Sequence, residues 1–315
     1  MPFAAAMRKG VVSVALLLCV TTPLSAQIED QLSAYTGANA TGYLQPLADA
    51  FGADLNCGVF RSAFIPRLRP AVRLELQVMS VLFGDDDKTF RAITERGFTP
   101  RQRVKAPTVV GPEEAVIVEG DGGTSYAFPG GFDLNSFALA APQLRIGGLY
   151  GTEAIIRYFA MQIGGGDDED DGDGDLGDIS LFGFGLKHSI SQYLPVGIPV
   201  DISAGFFWQK FSLGENQQGD PLIESRAFSI GVQASKKLAY FVVPYAGLSY
   251  DTHSMDVTYD REEDDETETI DVDFDKTNTM HLTLGLMFNT PGVNMFGEFS
   301  FARQSSFSFG IGLGY

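Results

Sequence analysis

The sequence predicts an all-β fold: an antiparallel transmembrane β-barrel of about twelve strands, within a range of roughly ten to fourteen, with a short N-terminal helix. Three observations predict it. The chain ends in SSFSFGIGLGY, where apolar residues alternate with serine and glycine, so a strand built from it has one oily and one nearly empty face. The chain starts with an export signal. No apolar run is long enough to span a bilayer as a helix, so membrane passage requires a closed sheet.

Residues 1–26 have the three parts of a secretory signal peptide. Arg8 and Lys9 supply the positive start, VVSVALLLCV the apolar run and PLSA the small-residue cleavage site. This pattern predicts export and cleavage, and with the barrel it predicts the outer membrane of a Gram-negative bacterium.

Cysteine usage excludes two other classes of exported protein. Cys19 lies inside the apolar run rather than at the cleavage site, which argues against a lipid anchor. Cleavage leaves only Cys57, so no internal disulfide is expected and a disulfide-stabilised secreted domain is excluded.

The negative charge is concentrated in two segments. The chain has a formal net charge of −18. Asp167–Asp178 carries eight acidic residues and no basic one, and Asp256–Asp275 carries eleven acidic residues and only Arg261 as a base. This distribution favours a nearly neutral body surrounded by lipid, with charged loops in water, and offers no surface for nucleic acid.

Strands of membrane-spanning length recur between these segments, each with one apolar face. In DISLFGFGLKHSIS, Phe182, Phe184 and Leu186 alternate with glycine and lysine. Tight links rich in Pro and Gly (LPVGIP, AYFVVP and NTPGVN) alternate with long polar links at about 164–178, 214–224 and 256–276, as in outer-membrane barrels. The other strand candidates are RPAVRLELQVMSVLF, a hairpin in QLRIGGLYGTEAIIRYFAMQI, VDISAGFFWQK, RAFSIGVQASK and TMHLTLGLMFN.

Polar residues within these strands are expected to face the lumen. An arginine on the lipid face near the midplane would cost roughly 2 to 4 kcal/mol, which fixes the phase of each strand. The predicted lumen-facing polar residues are Arg73, Glu75, Gln77, Arg157, Lys187, Asp201, Gln209 and Gln233.

Two regions fit the barrel pattern poorly. Residues 27–54 contain a short helical stretch, Leu47–Phe51, which is either a periplasmic lead-in or a lumenal plug. Inward glycines favour the plug, because they leave the lumen unfilled by side chains. The barrel is expected over 55–315, with a long irregular insertion at 84–142 that is an external loop, a lumenal constriction or a further strand pair.

Several segments resemble an uncharacterised family of Gram-negative outer-membrane β-barrel proteins that is known only as a domain of unknown function. They are ATGYLQPLADAFGADLNCGVF, FPGGF, APQLRIGGLYGTEAIIRYF and FGFGLKHSISQYLP. The resemblance implies the barrel and its location, and brings no activity or site residues. The C-terminal residues separately resemble the signal read by the barrel-insertion machinery, a predicted partner together with outer-membrane lipid. These residues are Phe307, Phe309, Ile311, Leu313 and Tyr315.

The sequence offers little for catalysis or metal binding. It contains three histidines, none in a recognisable hydrolase motif, so no enzyme activity is expected; a barrel-embedded hydrolase is the weak alternative. One acidic stretch loosely matches a calcium loop, but an aspartate replaces the bidentate glutamate and no helices flank it. No cofactor is therefore expected, and the stretch is interpreted as a solvated, self-repelling loop. The alternative is a loosely bound calcium ion with Asp167, Glu169, Asp171 and Asp178 as its ligands.

The leading functional hypothesis is a channel or transporter for a small solute, including an apolar one. It rests on a lumen lined by charges of both signs, which can bind or steer solutes. The alternative is a structural or surface-interaction barrel with no open pore. The alternative fold is a soluble secreted β-sandwich, which would have to bury the apolar faces against each other.

Overall fold

The structure is a computed structural model that describes residue 35 and residues 37–162, 178–195, 198–214, 221–238, 240–263 and 266–314. One helix, α1, spans Ala38–Leu55. Ten strands close into one antiparallel barrel, in the order β1, β14, β13, β12, β11, β10, β9, β8, β7, β6. The strands are β1 Ala71–Leu82, β2 Thr89–Ile93, β3 Arg103–Pro107, β4 Val116–Glu119, β5 Ser125–Phe128, β6 Ser136–Leu149, β7 Thr152–Gln162, β8 Asp178–Ser189, β9 Asp201–Leu213, β10 Ile223–Ser235, β11 Val242–Glu263, β12 Glu266–Thr290, β13 Val293–Phe301 and β14 Ser306–Gly314.

The predicted closed all-β barrel is confirmed, with ten strands in the barrel rather than about twelve. The strands of the insertion pair with each other instead of with the wall: β2 with β3, and β4 with β5. The insertion between β1 and β6 covers residues 83–135, because Ser136 already begins β6 and pairs with Leu82 of β1. The insertion is therefore two hairpins, shorter than the predicted 84–142.

The barrel has two distinct ends. At the short-turn end, β1 begins beside the end of β14, and Arg73 pairs with Gly314. The links at 150–151, 190–200, 236–241 and 291–292 also lie there. The opposite end, called the long-loop end, carries the insertion and the links that follow β7, β9, β11 and β13. Outer-membrane barrels place short turns in the periplasm and long loops outside the cell.

The second acidic segment is a β-ribbon rather than the long loop expected from its charge. β11 pairs with β10 as far as Val257, and beyond it β11 and β12 stay paired with each other from Thr258 opposite Asp271 to Glu263 opposite Glu266. A register shift between His253 and Met255 lies just before this point, within the wall. Apolar side chains interleaved with the acids explain the pairing, since Met255, Val257, Val272 and Phe274 are buried.

The outer surface of the wall is a continuous apolar band. On β14, Phe309, Ile311 and Leu313 are 52%, 47% and 62% exposed, while the alternating Ser308 and Gly312 face inward and are buried. The same alternation of exposed apolar and inward small or polar residues holds on β8 and β12. An apolar band of this extent on a closed barrel is the surface that a bilayer covers, because no second sheet packs against it.

The N-terminal part of the chain passes through the barrel interior. Helix α1 packs against β1, β6, β10, β11 and β12, and against β2 of the insertion. It covers more than the predicted Leu47–Phe51, continuing through Pro46 back to Ala38, because burial against the wall supports the turns before the proline. Within the described residues, no helix is both long and apolar enough to span a membrane.

Inward glycines make room for large neighbours instead of leaving the lumen empty. A Cβ on Gly285 would lie 2.1 Å from the ring of Tyr245, and one on Gly310 would lie 2.4 Å from the ring of Phe296. Gly185 has the same relation to Phe207. The glycine pattern therefore reflects filling by aromatic rings on adjacent strands as well as by the N-terminal segment.

Candidate functional site in the lumen

A belt of polar side chains lines the middle of the lumen, where the wall meets the chain that follows α1. We call residues 38–63 the lumenal segment. The belt lies on β1, β6, β7 and β8, whose alternation turns one polar residue in two inward. The lumenal belt consists of Glu75, Gln143, Arg145, Glu153, Arg157 and Lys187, all buried or nearly so.

One carboxylate joins the wall to the lumenal segment. Glu75 Oε2 accepts from Arg145 Nε at 2.9 Å on the neighbouring strand and forms a short ion pair with Arg61 of the segment. The Arg61 guanidinium also stacks over the Phe296 ring at 3.8 Å. Arg145 Nη2 donates to the Val59 carbonyl at 2.6 Å. These contacts hold the extended part of the segment against β1 and β6.

Arg157 fixes the end of α1. It is fully buried, and its five hydrogen bonds all go to neutral acceptors. Two of these are carbonyls of the lumenal segment, Leu55 at 3.2 Å and Cys57 at 3.1 Å. The others are the side-chain oxygens of Gln143 and Gln209. Arg157 thereby places a positive charge at the C-terminal end of α1 and donates hydrogen bonds to carbonyls that have no partner within the helix.

The remaining wall contacts of the segment are also polar. Lys187 Nζ donates to the Ser62 carbonyl at 2.9 Å and pairs with Glu153 at 2.8 Å. On the opposite wall, Glu298 Oε1 accepts from the Gly58 amide at 2.7 Å. Positive and negative groups of the wall therefore both contact the segment, the positive ones from β6 and β8 and the negative Glu298 from β13.

The structure places six of the eight predicted lumen-facing residues in the buried interior. The other two, Arg73 and Asp201, face the lumen at the short-turn end and are half-buried. Arg73 makes no hydrogen bond to the lumenal segment among the described residues. The six buried residues are Glu75, Gln77, Arg157, Lys187, Gln209 and Gln233.

Sequence reasoning missed Gln143, Arg145 and Glu153. Arg145 and Glu153 complete the ion pairs of the belt, and Gln143 adds hydrogen bonds to it. A bulge between Gly147 and Leu149 breaks the alternation of this hairpin and conceals its phase. The lipid-face cost of an arginine, already applied to Arg157, would have placed Arg145 inside as well.

The long-loop half of the lumenal segment has an apolar environment. Tyr43, Leu44, Leu47 and Phe51 of α1 join one buried cluster with residues of the wall and of both hairpins. Tyr43 also donates its hydroxyl to the Gly130 carbonyl at 2.9 Å, and burial raises the pKa of this phenol above its usual range. The helix is therefore held by apolar packing, whereas the chain after it is held by polar contacts.

Two inward histidines lie beside α1. His281 Nδ1 and Asp251 Oδ2 are 2.5 Å apart, and Ser225 Oγ and His253 Nε2 are 2.7 Å apart. A small cavity of about 30 Å³ adjoins both histidines. The Asp–His and Ser–His contacts fall on different histidines, so no Ser–His–Asp chain forms in the part of the molecule that is described.

The third histidine and the proposed calcium ligands lie elsewhere. His188 faces outward, as its phase predicts, and its ring is 2.9 Å from the Thr152 hydroxyl. Within the described ranges, no group of three or more His, Cys, Asp or Glu residues is arranged to hold a metal ion. Asp167, Glu169 and Asp171 lie outside the described residues, and Asp178 is the first residue of β8.

The residues of the insertion signal form the end of the wall. Phe307, Phe309, Ile311 and Leu313 lie on β14, which pairs with β1 and closes the barrel. Tyr315 and the signal peptide lie outside the described residues.

The model of a family of unknown function, DUF6588, matches residues 7–315. The chain belongs to the DUF6588 family. This confirms the resemblance noted in the sequence, and the closed antiparallel barrel with its apolar outer band is that of an outer-membrane β-barrel protein. No curated protein matches this DUF6588 chain.

Solved barrels resemble this DUF6588 chain only distantly. Ail, the attachment invasion locus protein of Yersinia pestis, is 8% identical, with 79% of this chain and 99% of that one covered and a TM-score of 0.27. The outer membrane protease OmpT of Escherichia coli is 9% identical, with 78% and 96% covered and a TM-score of 0.33. The transport unit of the Escherichia coli autotransporter AIDA-I is 10% identical, with 89% and 99% covered and a TM-score of 0.33.

Proposed function

We propose that this protein is an outer-membrane passage for a small polar or zwitterionic solute, closed by its own lumenal segment. One observation carries the proposal: the contact between the wall and residues 56–63 is built from charges and backbone polar groups. The belt offers both signs of charge within a few ångströms, through Glu75, Arg145 and Lys187. Such a lining binds a solute that carries both charges, and disfavours the apolar solute considered from the sequence.

A polar contact suits a closure that opens. When polar surfaces separate, water replaces the lost partners, and the net cost is about 0.5 to 1.5 kcal/mol for a neutral hydrogen bond and about 1.5 to 3 kcal/mol for one to a charged group. Separation of an apolar contact has no such replacement. Movement is therefore expected in residues 56–63, where Arg61 and the carbonyls of Cys57 and Val59 contact the belt.

The helix is expected to stay in place during opening. Tyr35, Tyr43 and Phe128 are fully buried in the cluster that joins α1 to the hairpins. Withdrawing α1 would expose this whole cluster, whereas displacing residues 56–63 breaks polar contacts and exposes the smaller apolar cluster of Val59, Ile155 and Phe207. The passage would thus open at the belt and continue beside the helix to the long-loop end.

A disulfide across the contact tests the proposal directly. Cys57 Sγ and Ser306 Oγ are 2.7 Å apart, so Ser306→Cys places two thiols within bonding reach. We expect planar bilayers with the Ser306→Cys protein to conduct ions under reducing conditions and to lose conductance on oxidation. The matched control is Ser308→Cys, a buried inward position on the same strand whose hydroxyl has no hydrogen-bond partner among the described residues. Conductance that is insensitive to oxidation in Ser306→Cys would contradict the proposal.

The second candidate is a structural or surface-interaction barrel with no open pore. The filled lumen and the apolar cluster around α1 favour it. Absence of conductance in the wild-type protein and in the reduced Ser306→Cys protein, with solute flux also absent from liposomes, would establish this candidate and reject the passage.

A further inference from the structure

We propose that the first hairpin of the insertion binds the phosphorylated saccharide headgroups of the glycolipid in the outer leaflet. The inference concerns a surface on β2 and β3 and the turn between them, and does not depend on whether the barrel conducts. We call this surface the basic face. It is formed by Arg91, Arg96, Arg101, Arg103 and Lys105, all exposed.

The basic face contrasts with the charge of the rest of the protein. The chain has a net charge of −18, yet between residues 89 and 107 it carries five basic residues and Glu95 as the only acidic one. None of the five has an acidic side chain within ion-pair distance in the described part of the chain. Their positive charge is therefore not neutralised by a neighbour that the structure describes.

The strand register makes this face costly without a partner. Arg91 lies directly opposite Lys105, and Arg103 is two residues from Lys105 on the same face. Like charges directly opposite each other destabilise an antiparallel pair. An anion that bridges these side chains would replace the repulsion between them with attraction. A phosphate is favoured in particular, because the planar guanidinium group can donate two parallel hydrogen bonds to its oxygens.

The other face of the hairpin is firmly attached. Ala92 and Ala106 are fully buried, and Phe90 packs edge-on against Tyr35. Asn39 of α1 exchanges two hydrogen bonds with the backbone of Ile93, at 2.7 and 3.1 Å. The basic face is thus held rigid, and its side chains can be replaced without disturbing the hairpin.

The position of the hairpin identifies the partner. The hairpin stands at the long-loop end, which barrels of this class present outside the cell. The anions concentrated at that surface are the phosphates of the outer-leaflet glycolipid, and each cationic side chain near an anionic membrane surface adds to the attraction. Both the location and the charge therefore favour a phosphorylated saccharide over a nucleic acid or an acidic protein.

Calorimetry on the full-length protein in phosphocholine nanodiscs tests the proposal. The probe is the deacylated, phosphorylated core oligosaccharide of lipopolysaccharide, compared with the same saccharide after dephosphorylation. The variant Arg91→Gln/Arg103→Gln/Lys105→Gln should bind the phosphorylated probe about a hundredfold more weakly. The control Arg67→Gln/Lys236→Gln/Lys237→Gln removes three exposed charges at the short-turn end and should bind like the wild type.

Several results would overturn the proposal. One is no binding of the phosphorylated probe by the wild-type protein. Others are equal binding of the dephosphorylated probe, equal losses in the two triple variants, or displacement by inorganic phosphate at the same concentration. Equally tight binding of duplex DNA or of an acidic peptide would show attraction by charge alone and would reject the saccharide.

Discussion

Replacing Arg157 with methionine should loosen the junction between α1 and residues 56–63 from the wall, although Gln209 still donates to the Leu55 carbonyl. Methionine keeps much of the volume of arginine but removes every hydrogen bond. Two of the bonds that are lost hold the carbonyls of Leu55 and Cys57. A hydrogen bond to a charged group contributes about 1.5 to 3 kcal/mol, so at the lower value the two together oppose opening by about 3 kcal/mol. Since 1.4 kcal/mol is a factor of ten, the open population should rise about a hundredfold.

The thiol of Cys57 reports this opening. It is buried beside Ser306 and is the one free cysteine in the described chain. The rate of maleimide labelling of the folded protein in nanodiscs measures the open population when closing is fast. Arg157→Met should label about a hundredfold faster than the wild type. The matched control is Arg73→Met, which removes an inward arginine that makes no hydrogen bond to the lumenal segment.

The reasoning is refuted if Arg157→Met labels Cys57 at the wild-type rate while the barrel remains folded. It is equally refuted if Arg73→Met accelerates labelling as much, because the effect would then not come from the two carbonyl contacts. Folding is checked by the difference in gel migration between unheated and heated samples.

Two further predictions follow from the wall and the path of the chain. In a Cys57→Ser background, Ala38→Cys at the long-loop end should react with an impermeant maleimide on intact cells. Leu68→Cys at the short-turn end should react only after permeabilisation. The reverse pattern would invert the assigned orientation. Leu284→Arg on the outer face should lower the free energy of unfolding by about 2 to 4 kcal/mol in urea titrations, and an unchanged midpoint would contradict lipid contact there.

The wall could be predicted from local pattern because lipid imposes the same rule on every strand. Phe182, Phe184 and Leu186 alternate with small or polar residues, and the structure turns them outward as period two requires. The cost of an arginine in lipid likewise fixes Arg157 inward. These inferences need only the alternation along one strand and the knowledge that one face of the strand meets lipid.

The contents of the lumen could not be predicted in the same way. The ion pair of Arg61 with Glu75 and the hydrogen bond between Cys57 and Ser306 depend on the path of the lumenal segment through the barrel. The periodicity of a single strand does not indicate that path. In the acidic ribbon, the high charge concealed an alternation that buries Val257 and Val272. The barrel has ten strands, at the lower end of the predicted range, because the hairpins of the insertion pair with each other and not with the wall.

Fluorescence of the single tryptophan tests most directly whether lipid covers the outer face. Trp208 is the only tryptophan in the chain, and its ring packs at 5.9 Å from that of Phe184, which faces outward. In bilayers whose acyl chains carry bromine, the emission of Trp208 should be strongly quenched, while aqueous iodide should have little effect. Quenching by iodide with no effect of brominated chains would place this face in water and contradict the transmembrane barrel.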